Sequence, residues 1–164
     1  MKQEIIKFRN TEIDLEFDFS IYGYAFSDTA CSASANWLVV SMECRYQGKK
    51  FMKTDSSVET YDLQDICKWF KSISCNTIPK YTYLGFTEPN LEFQIFGNKS
   101  GKIRFGIKLD AEFKPPFYIR EFAIEPVESD DEFVMVFENS LQEIEDYSAS
   151  FQSLLDSFPH RANR

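Results

Sequence analysis

The chain contains one histidine, His160, among 164 residues. That scarcity sets aside serine–histidine–aspartate and cysteine–histidine arrangements, which need a positioned imidazole. His160 follows Pro159 in a tail expected to fray into solvent. Glycine and proline are sparse, six of each. Neither G-x-x-x-x-G-K-[ST] nor G-x-G-x-x-G occurs, so the usual phosphate loops are absent. The four cysteines, Cys31, Cys44, Cys67 and Cys75, form no C-x-x-C pair. With a single histidine they lack the ligand spacing of a zinc site. The expectation is therefore no metal, no cofactor and free thiols, with Cys44 and Cys67 as buried filler. No run approaches the roughly 20 apolar residues of a membrane span. Residues 1–9 show no signal-peptide core, so a cytoplasmic address is expected.

What is present is acid and aromatic. The chain has 18 basic and 26 acidic residues, for a net charge of −8. That sign repels phosphate backbones and anionic membrane surfaces, so neither nucleic acid nor membrane is an expected partner. A basic protein would be attracted. The plainer reading is that −8 keeps the protein soluble. Aromatics make up 16%, including 17 phenylalanines, a core-forming composition. The length suits one domain, residues 1–164, able to fold without disulfides or metal.

Residues 11–22 give the clearest pattern. Ile13, Leu15, Phe17, Phe19 and Ile21 alternate with Glu12, Asp14, Glu16, Asp18 and Ser20. Period two predicts a strand with an acidic stripe facing water. Lysine or arginine on neighbouring strands would relieve the repulsion. Residues 27–34 read as a loop. Residues 36–46 form a second strand, apolar on both faces and therefore central, with Trp37 in the core. Residues 51–54 pair back after a turn. A helix is predicted over 61–74, because Leu63, Ile66, Cys67, Phe70 and Ile73 share one face, with Thr60 as N-cap and Asp62 in the first turn.

Further strands are predicted at 81–86, 91–95, 102–113, 118–124 and 132–138. The partly basic face of 102–113 suits a place beside the acidic first strand. Residues 128–132 form an acidic turn. A second helix is predicted over 141–158, with Ser140 and Glu143 at capping-box spacing. The expected fold is α+β: a single curved, mostly antiparallel β-sheet or half-barrel of about seven or eight strands, with two helices packed on it.

Candidate site residues fall into two sets. Glu88 with Asn90, and then Asp55 in the loop before the first helix, are the best acid–base candidates. The alternative is that Glu88 or Asn90 binds a turn backbone. The second set is acidic: Glu12, Asp14, Glu16, Asp18, Asp130, Asp131, Glu143, Glu145 and Asp146. Such a face can match a basic toxin or nuclease surface, or be ordinary solvated surface. Trp69 lies beside the apolar stripe of its helix. It is either a partly exposed interface anchor or packed on the sheet.

Several blocks then stand together. They are Ala35-Asn36-Trp37-Leu38-Val39-Val40, Asp55, Thr60-Tyr61-Asp62-Leu63, Leu84-Gly85-Phe86-Thr87-Glu88-Pro89-Asn90-Leu91-Glu92-Phe93, Pro115-Pro116, and Phe158-Pro159-His160-Arg161. Together, over about residues 22–161, they resemble the WapI-type immunity proteins of bacteria. The Glu-Pro-Asn-Leu block with the double proline downstream is the most specific part. Ser34 and Ser56 depart from the family pattern, which has aspartate and proline there. The resemblance implies a non-catalytic cytoplasmic antitoxin that binds a cognate protein toxin tightly. The namesake toxin acts on tRNA, which implies a basic surface to be masked. No binding residues carry over, so Asn36, Trp37, Asp55, Glu88 and Asn90 have no role assigned. Two other readings stand. One is an accessory or scaffold domain that self-associates through strand edges, with an exposed apolar patch. The other is a small ligand-binding domain or hydrolase around Glu88 and Asn90, with a deep cleft. The sequence sets no oligomeric state.

Overall fold

Alternating apolar residues fold the first third of the chain into an antiparallel meander of four strands. These are β1 (Ile5–Asn10), β2 (Leu15–Tyr24), β3 (Trp37–Tyr46) and β4 (Lys49–Glu59), paired in that order. The computed structural model describes residues 3–26, 34–117, 119 and 132–161. The strand expected over 11–22 begins only at Leu15. Residues 11–14 are a turn in which Asp14 takes a positive φ of 53°, a conformation aspartate tolerates. Glu12 and Asp14 therefore leave the stripe. β1 precedes that turn and carries its own inward pair, Ile6 and Phe8. Between β3 and β4, Gln47 and Gly48 both have positive φ, as a two-residue hairpin turn requires. β4 runs well past residue 54, because Asp55 and Ser56 still pair with Val40 and Val39. Asp55 thus lies on a strand, not in a loop.

The first helix, α1, spans Thr60–Ser74. Its N-cap is Glu59 rather than Thr60, and the Glu59 amide donates to Asp62 Oδ2 at 2.8 Å. Burial pushes the Asp62 carboxyl up from its ordinary 3.8 to about 6, the Glu59 amide opposes this, and the charges of Glu59 and Asp65 add to it. Folded Asp62 holds its proton more tightly than the unfolded chain does. Stability is therefore greatest below the unfolded value and falls as pH rises through the window from 3.8 to about 6. Asp62→Asn keeps an acceptor for the Glu59 amide. It is expected to flatten this slope and to raise stability near pH 7 by about 1 kcal/mol, less than the full shift implies because the group is partly solvated. Urea midpoints of both proteins at about pH 4 and pH 7 check this. A variant less stable at neutral pH would show that the charge on the helix N-terminus outweighs the burial cost.

A second meander follows: β5 (Tyr83–Gly85), β6 (Leu91–Lys99), β7 (Lys102–Leu109) and β8 (Phe133–Asn139), again paired in order. The β6–β7 turn is Ser100-Gly101, both with positive φ. β7 stops at Leu109 rather than 113. Asp110 accepts from the Ala111 amide, and a 3-10 turn over Ala111–Phe113 drops Phe113 into the core with no exposure. Most of the strand expected at 118–124 and of the acidic turn at 128–132, including Asp130 and Asp131, lies outside the described residues. The last helix, α2, spans Leu141–Ser157, with the expected capping box: the Glu143 amide donates to Ser140 Oγ at 3.2 Å, and the Ser140 amide to Glu143 Oε2 at 2.7 Å.

The fold is α+β, but its strands make two four-stranded sheets, not one. The edges β1 and β8 lie together without a shared ladder. At that seam the buried Asn10 side chain donates to the Val136 carbonyl at 2.9 Å. The other junction, β4 to β5, is interrupted by α1. Sequence periodicity sees strands and hairpins, and both meanders satisfy it; it carries no signal for the break.

The helices pack on each other and close over the space between the sheets. Phe70 of α1 lies at the centre. Its ring stacks on Phe151 of α2 at 5.6 Å and sits 5.6–6.3 Å from Phe8, Phe93, Phe105 and Tyr147. One hydrophobic cluster thus draws on both sheets and both helices.

Candidate functional site

The acidic stripe of β2 is neutralised within its own sheet. Register places Arg9 of β1 and Arg45 of β3 on either side of Glu16. Arg9 reaches Asp18 at 2.8 Å and Glu16 at 3.3 Å. Arg45 reaches Glu16 at 2.5 Å and Asp18 at 3.3 Å, and also pairs with Glu43. Lys50 meets Glu43 at 3.2 Å. Three carboxylates thus face three cations, and this patch has little field left for steering a partner. Relief by basic neighbours was the expectation; it comes from β1 and β3. The basic face of β7 lies in the other sheet, where Arg104 pairs with Glu138 at 3.3 Å and Lys108 lies between Glu92 and Glu132.

On α2, Glu143, Glu145 and Asp146 are exposed. Glu143 is engaged by the cap, and burial is outweighed there by hydrogen bonds that hold its carboxyl below the usual range. Glu145 meets Lys71 at 3.3 Å, and Asp146 accepts from Gln142. Glu12 and Asp14 are exposed at the β1–β2 turn.

The motif residues converge at two places, and both are built from hydrogen bonds. At the first, Asn36 is 3% exposed, and its Oδ1 accepts from the Arg161 amide at 2.8 Å and from the Thr60 hydroxyl at 3.3 Å. Its backbone carbonyl accepts from the Thr60 amide. Both ring nitrogens of His160 have partners: Nδ1 meets the Thr60 hydroxyl at 3.2 Å and Nε2 meets the Tyr61 hydroxyl. The Tyr24 hydroxyl donates to the Pro159 carbonyl, and the Arg161 guanidinium lies 3.4 Å over the Tyr24 ring. The tail expected to fray is instead docked, although His160 itself stays exposed. At the second place, the Ser57 hydroxyl donates to Oδ1 of buried Asn90 at 2.5 Å, tying β4 to the start of β6.

Asp55 and Glu88 are exposed. None of Asp55, Glu88 and Asn90 lines any of the four surface hollows described here. The cleft that an enzyme built on them requires is not among these hollows.

The tryptophans exchange roles. Trp37 is half-buried, not fully core. Trp69 is 4% exposed, which decides for packing over an exposed anchor, and its Nε1 donates to the Tyr81 carbonyl at 2.9 Å. The indole packs at the rim of the aromatic core and anchors the segment leading into β5. Around that segment lies a surface that the sequence reading did not single out. Ile78, Tyr81, Tyr83 and Phe96 are 82%, 59%, 49% and 36% exposed. Hollows of 390 and 450 Å³ meet there at Pro79. Ile78, Pro79 and Tyr81, apolar residues set between a helix end and a strand, were the available signal.

Among the described residues, no helix is long and apolar enough to cross a membrane, and no group of three His, Cys, Asp or Glu side chains could hold a metal. Burial pushes the Cys44 thiol up to about 12, so it stays protonated as filler. In comparison with known proteins, the model of the immunity protein WapI-like family matches residues 7–159. No curated protein and no solved structure matches the chain.

Proposed function

Because the chain belongs to the WapI-like immunity protein family, we propose that it neutralises a cognate toxin by binding it in the cytoplasm, as a non-catalytic single domain that masks a basic, nucleic-acid-binding surface. The family match over residues 7–159 carries this reading. The net charge of −8 supports the choice of a basic partner. The shared hydrophobic cluster supports one domain. The geometry of the motif residues speaks against catalysis at Asn36 and Asn90, which are buried and bonded within the fold and line none of the surface hollows.

Affinity capture of the tagged protein from its native host tests this. A basic toxin fragment is expected to co-elute in stoichiometric amount, and to be released as salt rises from about 0.05 to 0.5 M, where screening shortens from beyond 10 Å to a few ångströms. Elution alone from a lysate that contains the toxin would refute the toxin-binding reading. Retention independent of salt would refute the masking of a basic surface.

A further inference from the structure

We propose that the face around β5 is the surface that docks the toxin, and that it receives a segment carrying apolar side chains and one basic side chain. This placement rests on the toxin-neutralising reading and adds the site to it.

Four of the ten exposed large apolar side chains among the described residues, Ile78, Tyr81, Tyr83 and Phe96, gather on this one face. Exposed apolar surface gathered in this way marks interaction sites, and tyrosine is a frequent anchor in them. The hollows make the face concave and continuous. The 390 and 450 Å³ hollows share Pro79, and the second shares Tyr83 with a third of 290 Å³. That third hollow lies over Gly106. A Cβ there would come within 2.5 Å of the Phe96 ring, so the glycine leaves room for Phe96 to lie flat on the sheet.

Charge separates the two ends of this face: the 450 Å³ hollow carries Lys68 and Lys80 against Asp65, so the occupant's basic side chain is assigned to the 290 Å³ hollow. In the third hollow, Lys108 alone faces two carboxylates, Glu92 at 3.8 Å and Glu132 at 3.2 Å, leaving a local excess of one negative charge beside the Tyr83 ring. An aromatic wall next to spare carboxylate suits a guanidinium, which stacks and forks at once. Two copies of the chain would each bring −8 to the contact, so self-repulsion disfavours a homodimer here. The face is also held in place before binding. The Trp69 indole pins the Tyr81 carbonyl, and the Ile95 amide donates to the Thr82 carbonyl at 2.8 Å. Little ordering is then left to oppose association.

A host strain deleted for this gene, grown beside its toxin-producing parent, supplies the test. A plasmid copy of the wild-type gene is expected to restore survival. Ile78→Lys and Tyr81→Ala are each expected to lower survival at least tenfold, while Ala149→Lys, exposed on α2, protects like wild type. Thermal melts of the purified variants check folding, and Ile78, at 82% exposure, is open to change without disturbing the core. Full protection by both variants would overturn the placement. So would a wild-type homodimer in sedimentation that Ile78→Lys dissociates, because the face would then belong to a second copy. Failure of the wild-type copy to protect would instead sink the toxin-neutralising reading, and this placement with it.

Discussion

Replacing Phe70 with alanine is expected to destabilise the protein by about 3–5 kcal/mol, the range for removing a large aromatic from a core. Few positions in this chain meet the conditions for that cost so fully. Phe70 is 0% exposed. Its ring touches α2 through Phe151 and Tyr147, the first sheet through Phe8, and the second through Phe93 and Phe105. The neighbours belong to three separate units, so no single shift can refill the hole. Domains of this size are stable by about 5–15 kcal/mol, and the variant would lose a large share. Urea unfolding followed by tryptophan fluorescence reads it directly, since Trp69 lies 5.1 Å from Phe70. Ile78→Ala on the surface should shift stability by no more than about 0.5 kcal/mol. A Phe70→Ala cost under about 2 kcal/mol would mean that the core collapses around the gap.

That central role was partly legible in the sequence. Phe70 sits in the stripe Leu63, Ile66, Cys67, Phe70 and Ile73, and all five are buried. Both helices could be read to within a residue or two, because a 3.6-residue period over four turns and a Ser140–Glu143 cap are strong local signals. Among the described residues the strands other than β1, which was not expected, were legible as segments but less so as a sheet. The pairing of β1 with β2 depends on a turn at Asp14, and nothing in a period-two pattern shows where such a turn interrupts it. The division into two sheets depends on which edges meet, and the seam between β1 and β8 joins residues more than a hundred positions apart. Charge suffered most. Glu16 and Asp18 read as an open acidic face only while Arg9 and Arg45 are unplaced. Local sequence carries no register, and register decides whether a stripe is field or ion pair.

The signature blocks behave differently. The Asn36, Thr60 and Pro159–Arg161 blocks are far apart in sequence yet meet in the fold, while Asp55 and Glu88 stay exposed. Asn36 is the clearest case and gives the second large effect. Asn36→Ala removes the acceptor shared by the Arg161 amide and the Thr60 hydroxyl, in a pocket where Asn36 is 3% and Thr60 1% exposed. Leaving such groups without a partner costs about 1–3 kcal/mol. The loss should also loosen the tail at Arg161, which would then be held only through its guanidinium, over the Tyr24 ring and on the Phe26 carbonyl, while Pro159 and His160 keep their partners. Hydrogen exchange by NMR at the Arg161 amide is therefore expected to accelerate more than tenfold, with the amides of β6 and β7 nearly unchanged. Asn36→Asp retains the acceptor but buries a charge and sets an oxygen against the Arg161 carbonyl that Asn36 Nδ2 meets at 3.4 Å, so it should not rescue stability. If Asn36→Ala instead leaves exchange at Arg161 untouched while abolishing protection against the toxin, Asn36 is a contact residue and the inward reading of the motif fails. If exchange rises and protection falls only as far as stability does, the signature marks how this fold closes its tail, and the toxin is met elsewhere.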